Sequence, residues 1–438
     1  MSQQVRSVVV IGGGVIGLAS AYQLARDGAE VTLLDARAVG QGASSVNAGW
    51  VCPSEAAPVP APGVVSQALR WMLRPDSPFY IRPSLEPSFV AFMLRMWRYC
   101  NESDYRAGID ALLRLSEGTL ELFDRYLADG VEFEMHDDGL LMACLSREKL
   151  ARRRRYLDVL ESAGLEPEVL EGSAVHEREP ALADAVSGAI WFPHERHLDP
   201  ASLVAGLRRR CGDLGVSLME DMAVDAVSTA GDRVEAVRMG ERSVAADAFV
   251  LAAGAWSGPL SRLFETALPV RPGKGYSLDT TRLDLRSPVY LSEARVAVTP
   301  LDRGLRLSGT MEFGRLDERI DPVRVGAIAA APGRYFRGWL PPRDVVTGAG
   351  MRPMTPDGLP LLGQLGRWQN VFVSTGHAML GVTLAPRSAL ALSRLILRGE
   401  SDPELSAFRP DRFSRVPGWR AGRPGRPQPF TTPRGRNC

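Results

Sequence analysis

The stretch that decides the fold is Val8-Val9-Val10-Ile11-Gly12-Gly13-Gly14-Val15-Ile16-Gly17, continuing through residues 18–27 to Val31-Thr32-Leu33-Leu34-Asp35. Its first four residues are β-branched or aliphatic without interruption, as in a strand buried on both faces. Gly12, Gly14 and Gly17 follow as Gly-x-Gly-x-x-Gly. Ala19, Ala21, Leu24 and Ala25 then recur at helical spacing until Gly28 ends the helix. A second apolar strand finishes on Asp35. Gly12 permits the tight strand-to-helix turn, Gly14 lets the backbone approach a pyrophosphate, and Gly17 lets the helix pack on the strand. The helix N-terminus turns free N–H groups and a positive dipole end toward the phosphates. Asp35 can accept hydrogen bonds from ribose hydroxyls. Strand, glycines, helix, strand and acid in this register predict a dinucleotide-binding βαβ unit. Three glycines in the apolar opening and one flanking base, Arg6, argue against a secretory leader.

The chain has 438 residues, enough for two or three domains. A net charge of +1 implies no general attraction to nucleic acid. The five cysteines form no Cys-x-x-Cys pair, so no disulfide framework or zinc site is indicated, and a reducing, cytoplasmic setting is expected. No apolar run reaches the length of a membrane span. Of 52 basic residues only Lys149 and Lys274 are lysine, so Lys274, between Gly273 and Gly275, attracts notice.

After Asp35 comes Gly40-Gln41-Gly42-Ala43-Ser44-Ser45-Val46-Asn47-Ala48-Gly49-Trp50, a loop small and polar enough to wrap a cofactor or serve as a plain connector. Prolines 53, 58, 60 and 62 predict an irregular surface loop. Amphipathic helices are expected at 88–99 and 109–127, and a charged one at 147–163. His194 and His197 lack the spacing of a helical zinc motif, and no metal is expected there. Asp199-Pro200 opens a helix. Residues 249–257 form a buried strand ending in small residues, which a sheet left and re-entered would need. Residues 270–312 alternate and are turn-rich, predicting an antiparallel sheet and hence a second domain. A strand at 370–374, a glycine loop and a helix at 386–398 repeat the logic of the opening. From Arg415 the tail holds six arginines and no acid, and is expected to be disordered.

These motifs resemble those of the D-amino-acid oxidase superfamily of flavoproteins, and most closely the bacterial D-amino-acid dehydrogenases. The resemblance covers residues 8 to about 410. It rests on Gly-Gly-Gly-Val-Ile-Gly at 12–17, Ser-Val-Asn-Ala-Gly at 45–49, Leu-Ala-Ala-Gly-Ala-Trp-Ser at 251–257, Lys-Gly-Tyr-Ser at 274–277, Arg-Pro-Met-Thr-Pro-Asp-Gly at 352–358 and Gly-His-x-x-x-Gly at 376–381. Ala378 stands where relatives commonly have a second glycine.

The resemblance implies an α/β chain in which a Rossmann-like FAD-binding domain (1–84, 145–262 and 344–410) carries an inserted antiparallel-sheet substrate domain (85–144 and 263–343), with a disordered basic tail at 411–438. Gly12, Gly14, Val15, Ile16 and Gly17 would hold the pyrophosphate and Asp35 the ribose. Ser44, Ser45, Ala48 and Gly49 would approach the phosphates and flavin, and Val224 the adenine. Leu380, Gly381, Val382 and Thr383 would approach the flavin carbonyl end. Arg352 matches the arginine that grips the substrate carboxylate, a role its guanidinium fork suits. Tyr276 and His377 are secondary candidates for ordering the substrate, His377 equally for holding its loop, and Lys274 faces the flavin or braces the turn. No cysteine lies between Cys211 and Cys438, so the cysteine-linked flavin of sarcosine oxidases is unavailable and FAD is expected to be non-covalent.

The implied reaction is oxidative deamination of a D-amino acid, or of a cyclic amine such as D-proline or D-hydroxyproline, by hydride transfer from the α-carbon to the flavin. The electron acceptor would be a quinone, another carrier or oxygen. Three alternatives stay open: a glycine or sarcosine oxidase-like N-dealkylating flavoenzyme, an FAD-binding subunit of an electron-transfer complex, and a nicotinamide dehydrogenase. The basic tail adds an expectation of peripheral contact with the inner membrane face, against the plainer one of a solvated tail.

Overall fold

A computed structural model describes residues 5–64, 76–281 and 283–413. The opening stretch forms the strand Ser7–Ile11 and the helix Val15–Arg26, with Gly14 as N-cap. A six-stranded sheet grows around that strand in the order Ser217–Met219, Glu30–Leu34, Ser7–Ile11, Ala248–Leu251, Val371–Thr375, Leu361–Gln364. All neighbours run parallel except the last pair. The strand at 248–251 is the returning strand that the sequence requires. Its register against the first strand pairs Val8 with Ala248 and Ile11 with Leu251.

Side chains of these strands divide by parity, as the pleat demands. Val8, Val10, Leu33 and Val250 face a core shared with the first helix and the helix Gly381–Arg398. Val9, Ile11, Phe249 and Leu251 face a second core, covered by a three-stranded meander at 226–245 that supplies Val234, Val237 and Met239. Each fully buried Val, Leu or Phe contributes roughly 1.5–3 kcal/mol of burial free energy.

The second large sheet has nine strands and is mixed rather than purely antiparallel. Its path is Val346–Met354, Arg271–Thr280, Gly304–Phe313, Val296–Leu301, Val289–Leu291, Leu140–Cys144, Gly188–Phe192, Glu168–Glu171. Val289–Leu291 joins Leu140–Cys144 in parallel, and Phe79–Ile81 adds to Gly304–Phe313 in parallel. Residues 168–192, which the sequence groups with the cofactor domain, therefore extend this sheet. Leu140–Cys144 is buried along its whole length, so it needs a partner on its far side, and Gly188–Phe192 supplies it.

Several boundaries differ from the sequence expectation. The helix expected at 109–127 is two, Glu102–Ser116 and Thr119–Ala128, because Gly118 sits at φ +70° and breaks the ladder. The charged helix breaks likewise into Arg147–Arg154 and Leu157–Ser162. The last long helix starts at Gly381, five residues before Pro386. The tail expected from 411 is ordered through Phe413. Phe413 is buried and Arg412 grips Asp357 through two bonds of 2.7 and 3.0 Å. Residues 414–438, where the basic tail falls, lie outside the described residues. No helix among the described residues is long and apolar enough to cross a membrane.

Candidate active site

Two glycine turns meet at one edge of the parallel sheet. Ser7–Ile11 and Val371–Thr375 run in the same direction, so the helices that follow them begin on the same side. Neither helix has a side-chain cap or an acid in its first turn. Both therefore present unsatisfied N–H groups and the positive ends of their dipoles. Gly12 and Gly17 are sterically obligatory. Gly12 lies at φ +114° and an added Cβ would meet the Ala252 carbonyl oxygen at 2.5 Å, while one on Gly17 would meet the Gly12 oxygen at 1.8 Å. Val15 N–H donates to Ser44 Oγ at 2.9 Å, which ties the loop to the helix start. Asp35 accepts from Gly13 N–H at 2.6 Å and Arg37 N–H at 2.8 Å. Burial raises its pKa and those two bonds oppose the rise. A carboxylate has about four lone-pair sites, so two remain for ribose hydroxyls. Met222 N–H donates to the Asp35 carbonyl at 2.8 Å, which sets Val224 near the same strand end. An adenine dinucleotide fits this donor set.

The loop at 40–50 is held from both sides. Ser45 Oγ donates to the Gly40 carbonyl, and Asn47 bonds the carbonyls of Ala43 and Ser44. Gly49, at φ +76°, leaves no room for a Cβ beside the Leu198 carbonyl. Thr299 Oγ1 donates to the Ala48 carbonyl and accepts from Trp50 Nε1, both at 2.9 Å. Arg306 does most from the other sheet. It is buried, pairs with Asp279 through two bonds of 2.7 and 2.8 Å, and reaches the carbonyls of Ser45 and Asn47 at 3.1 and 3.3 Å. At the far helix, Thr383 Oγ1 accepts from Cys52 N–H and donates to the Trp50 carbonyl, so it pins Leu380, Gly381 and Val382 against this loop.

Arg352 lies on the strand Val346–Met354, opposite Gly273. Gly275 clears its path, because a Cβ there would stand 1.9 Å from the guanidinium. Its Nη1 donates to the Thr310 carbonyl at 2.8 Å, and it makes no salt bridge among the described residues. Burial lowers its pKa to about 10, with Tyr290 opposing, so the charge persists at neutral pH. Thr310 sits at φ +65° in a bulge where the register between residues 271–280 and 304–313 slips by one. That bulge turns the carbonyl toward the cation.

Lys274 and Tyr276 do not share this face. Strand alternation sends them to the side opposite Gly275 and the guanidinium. Lys274 Nζ is buried against Asp317 at 2.8 Å; burial would raise that carboxyl, but the bonds and charges of Lys274 and Arg319 together lower it to about 2. The Tyr276 hydroxyl donates to Glu312 at 2.8 Å within the core, and burial drives its pKa upward. His377 is buried, its Nε2 lies 3.1 Å from Ser388 Oγ, and burial lowers its pKa to about 3. Its carbonyl accepts from Leu380 N–H, so the ring anchors the loop to the helix behind it. Tyr290, Thr310 and Arg306 escape the sequence analysis. They sit on ordinary-looking strands, and only the bulge and the cross-sheet contacts give them meaning.

His197 stacks on His136 with centroids 4.8 Å apart and planes 18° apart, and His136 Nε2 lies 3.0 Å from Glu134. Imidazole lone pairs lie in the ring plane, so two near-parallel rings do not converge on one ion. His194 is exposed and 3.6 Å from Glu166.

The parallel sheet, its two uncapped helix starts and the ribose-type acid define a dinucleotide-binding fold. The family model described as FAD dependent oxidoreductase, DAO, matches residues 7–395. The chain is 34% identical over 399 residues to a D-amino acid dehydrogenase of Methylobacterium radiotolerans, covering 89% of this chain and 95% of that one. Glycine oxidase from Geobacillus kaustophilus is a structural match with a TM-score of 0.71 at 23% identity, covering 94% of this chain and 99% of that one. L-proline dehydrogenase from P. horikoshii matches with a TM-score of 0.73 at 18% identity, covering 94% and 98%. The chain belongs to the DAO family of FAD-dependent oxidoreductases.

Proposed function

We propose that the protein oxidises the α-carbon–nitrogen bond of a D-amino acid, or of a D-proline-like cyclic amine, as a dehydrogenase. The observation that carries this is Arg352: a charged, part-buried guanidinium that bonds the Thr310 carbonyl and pairs with no carboxylate among the described residues. Removing such a charge from water is costly unless a partner arrives. A substrate carboxylate fits it bidentately.

Bound FAD supplies the hydride acceptor. The residues of the chain do the rest. Arg352 fixes the carboxylate, and Thr310 fixes Arg352, so the α-carbon is presented in one orientation. His377, neutral across ordinary pH, braces the loop at 378–383. Arg306 keeps the loop at 45–49 in place from the opposite sheet. Lys274 and Tyr276 act at one remove, holding the far side of the strand Arg271–Thr280. The donor set for FAD contains no cysteine, which supports a non-covalent cofactor. The proposed electron acceptor is a quinone or another carrier rather than oxygen, following the 34%-identical relative named as a dehydrogenase.

The test is substrate profiling with the purified flavoprotein. D-amino acids are expected to yield the 2-oxo acid and ammonia, and cyclic ones the imine. Formaldehyde from sarcosine as the main product would replace this proposal with an N-dealkylating oxidase.

A further inference from the structure

Residues from three segments, 82–95, 255–272 and 314–316, wall a cavity of about 760 Å³. The middle segment leaves the six-stranded sheet after Leu251 and enters the nine-stranded sheet at Arg271, so the cavity lies where the chain crosses between the two. Small-molecule sites collect at such junctions. Two glycines let the walls close up. A Cβ on Gly258 would meet the Val270 carbonyl oxygen at 2.6 Å, and one on Gly314 would meet Arg82 Cβ at 3.1 Å. None of the residues assigned above to FAD or substrate lines this cavity.

Its wall carries Arg82, Arg95, Arg262, Arg271 and Arg315 against a single acid among the described residues, Glu86. The whole chain holds 52 basic and 51 acidic residues, so this is a local concentration of positive charge. Glu86 is already engaged. Arg271 donates to it at 2.9 and 3.3 Å, and Ser88 Oγ accepts from Arg271 and donates to Glu86. The Arg271 bond above all, with Ser88 and the charge of Arg262 adding to it, holds the Glu86 carboxyl below its usual range against the push of burial. Arg82, Arg262 and Arg315 form no salt bridge among the described residues. A guanidinium stays protonated at any ordinary pH, so these are three permanent charges with no acid of their own.

The rest of the lining is largely apolar. Phe89 and Phe92 come from the inward side of helix Pro87–Arg98, and Leu268 and Val270 from the crossing segment. Leu85 and Leu316 also line the cavity while 97% and 36% exposed, as apolar side chains at a mouth would be. A bare inorganic ion has no use for such surface. An apolar body that carries anionic groups uses both parts of the wall.

We propose that this cavity binds an organic anion of mononucleotide size, with two or more negative charges on an aromatic or apolar body. The volume suits such a molecule. Each guanidinium can hold a phosphate or a carboxylate through two parallel hydrogen bonds. Anionic groups lying between the arginines also relieve their mutual repulsion. Phe89 and Phe92 offer the aromatic surface on which a ring packs. The inference stands apart from the chemistry proposed for Arg352.

The experiment is isothermal titration calorimetry of the full, FAD-saturated chain with ADP, trimesate (a benzene tricarboxylate) and inorganic pyrophosphate. ADP, trimesate or both are expected to bind at one molecule per chain, at least about tenfold tighter than pyrophosphate, and more weakly as salt is raised. The tighter of the first two tells a phosphate ligand from a carboxylate one. Arg262→Gln combined with Arg315→Gln is expected to weaken that binding at least about tenfold, with flavin content and dye-coupled activity unchanged. If that pair releases flavin, Arg82→Gln reads the same site from another wall and should weaken binding at least about threefold. Changing all six arginines from Arg415 onward to Gln separates the cavity from the basic tail and should leave binding intact. No saturable binding of ADP or trimesate, pyrophosphate binding as tightly as either, or binding that displaces flavin would overturn the proposal. So would wild-type affinity in the cavity variants, or loss of binding on neutralising the tail.

Discussion

Arg352 illustrates how one side chain is held ready. Its carbonyl partner, Thr310, is itself in a left-handed conformation that a β-branched residue rarely adopts. A charge-assisted bidentate contact contributes about 1.5–3 kcal/mol, so Arg352→Met should lower kcat/KM for amino acids by roughly 10- to 150-fold, mostly through KM. Flavin content should not change, and steady-state kinetics beside a flavin absorbance spectrum checks both. Unaltered KM would remove the clamp from the account. Ala378 makes the opposite kind of prediction. It stands at φ +49°, a conformation costing an L-residue about 1–2 kcal/mol, of which glycine recovers part after its extra unfolded-state entropy. Ala378→Gly should therefore stabilise the protein by about 0.5–1 kcal/mol in urea unfolding. A loss of stability would mean that the alanine methyl packs usefully against the aromatic and methionine cluster around Met354.

At the scale of elements, the first βαβ unit was fully legible because each of its parts is local. The glycines, the helix spacing and Asp35 all act within residues 8–35. The clamp role proposed for Arg352 rests on the resemblance, since nothing in Gly-Met-Arg-Pro-Met alone separates a substrate clamp from a salt bridge. What escaped was tertiary. Lys274 looked notable for its rarity, but strand parity and Asp317 turn it away from the guanidinium. Arg306 looked like any alternating arginine, yet it joins the two sheets through Asp279 and the loop at 45–47. Its removal tests that link. Arg306→Met with Asp279→Asn, chosen to leave no unpaired carboxylate in the pair, should weaken FAD binding at least about tenfold while the secondary structure persists. Flavin retention on dialysis reads it, and full retention would show that the loop holds itself.

At the scale of the whole molecule, buried ionisable groups set the response to pH. His377 and His197 are each lowered to about 3 by burial, with His136 adding to the second. Below an unfolded pKa of about 6.5 the unfolded chain binds protons that these folded rings refuse. Their contribution is complete above that pH and is lost as pH falls toward 3. Glu195 has the opposite sign. Burial raises it to about 7, so its contribution is complete below about 4.5 and is lost as pH rises through 7. The two effects oppose between about pH 4.5 and 6.5, and the histidines act alone below that. His377→Asn should flatten the acid-side fall in unfolding free energy by up to about 1.4 kcal/mol per pH unit. Urea unfolding at pH 4, 5 and 6 with excess FAD measures this, and an unchanged slope would assign the fall to other groups.

The most direct measurement is anaerobic mixing of the purified, yellow protein with D-amino acids and their L-enantiomers while the flavin band is followed. Rapid bleaching by at least one D-amino acid is expected, with little by its mirror image and marked slowing at the same substrate concentration in Arg352→Met. A flavin that stays oxidised with every D-amino acid tried, or bleaches equally well without the guanidinium, would contradict it.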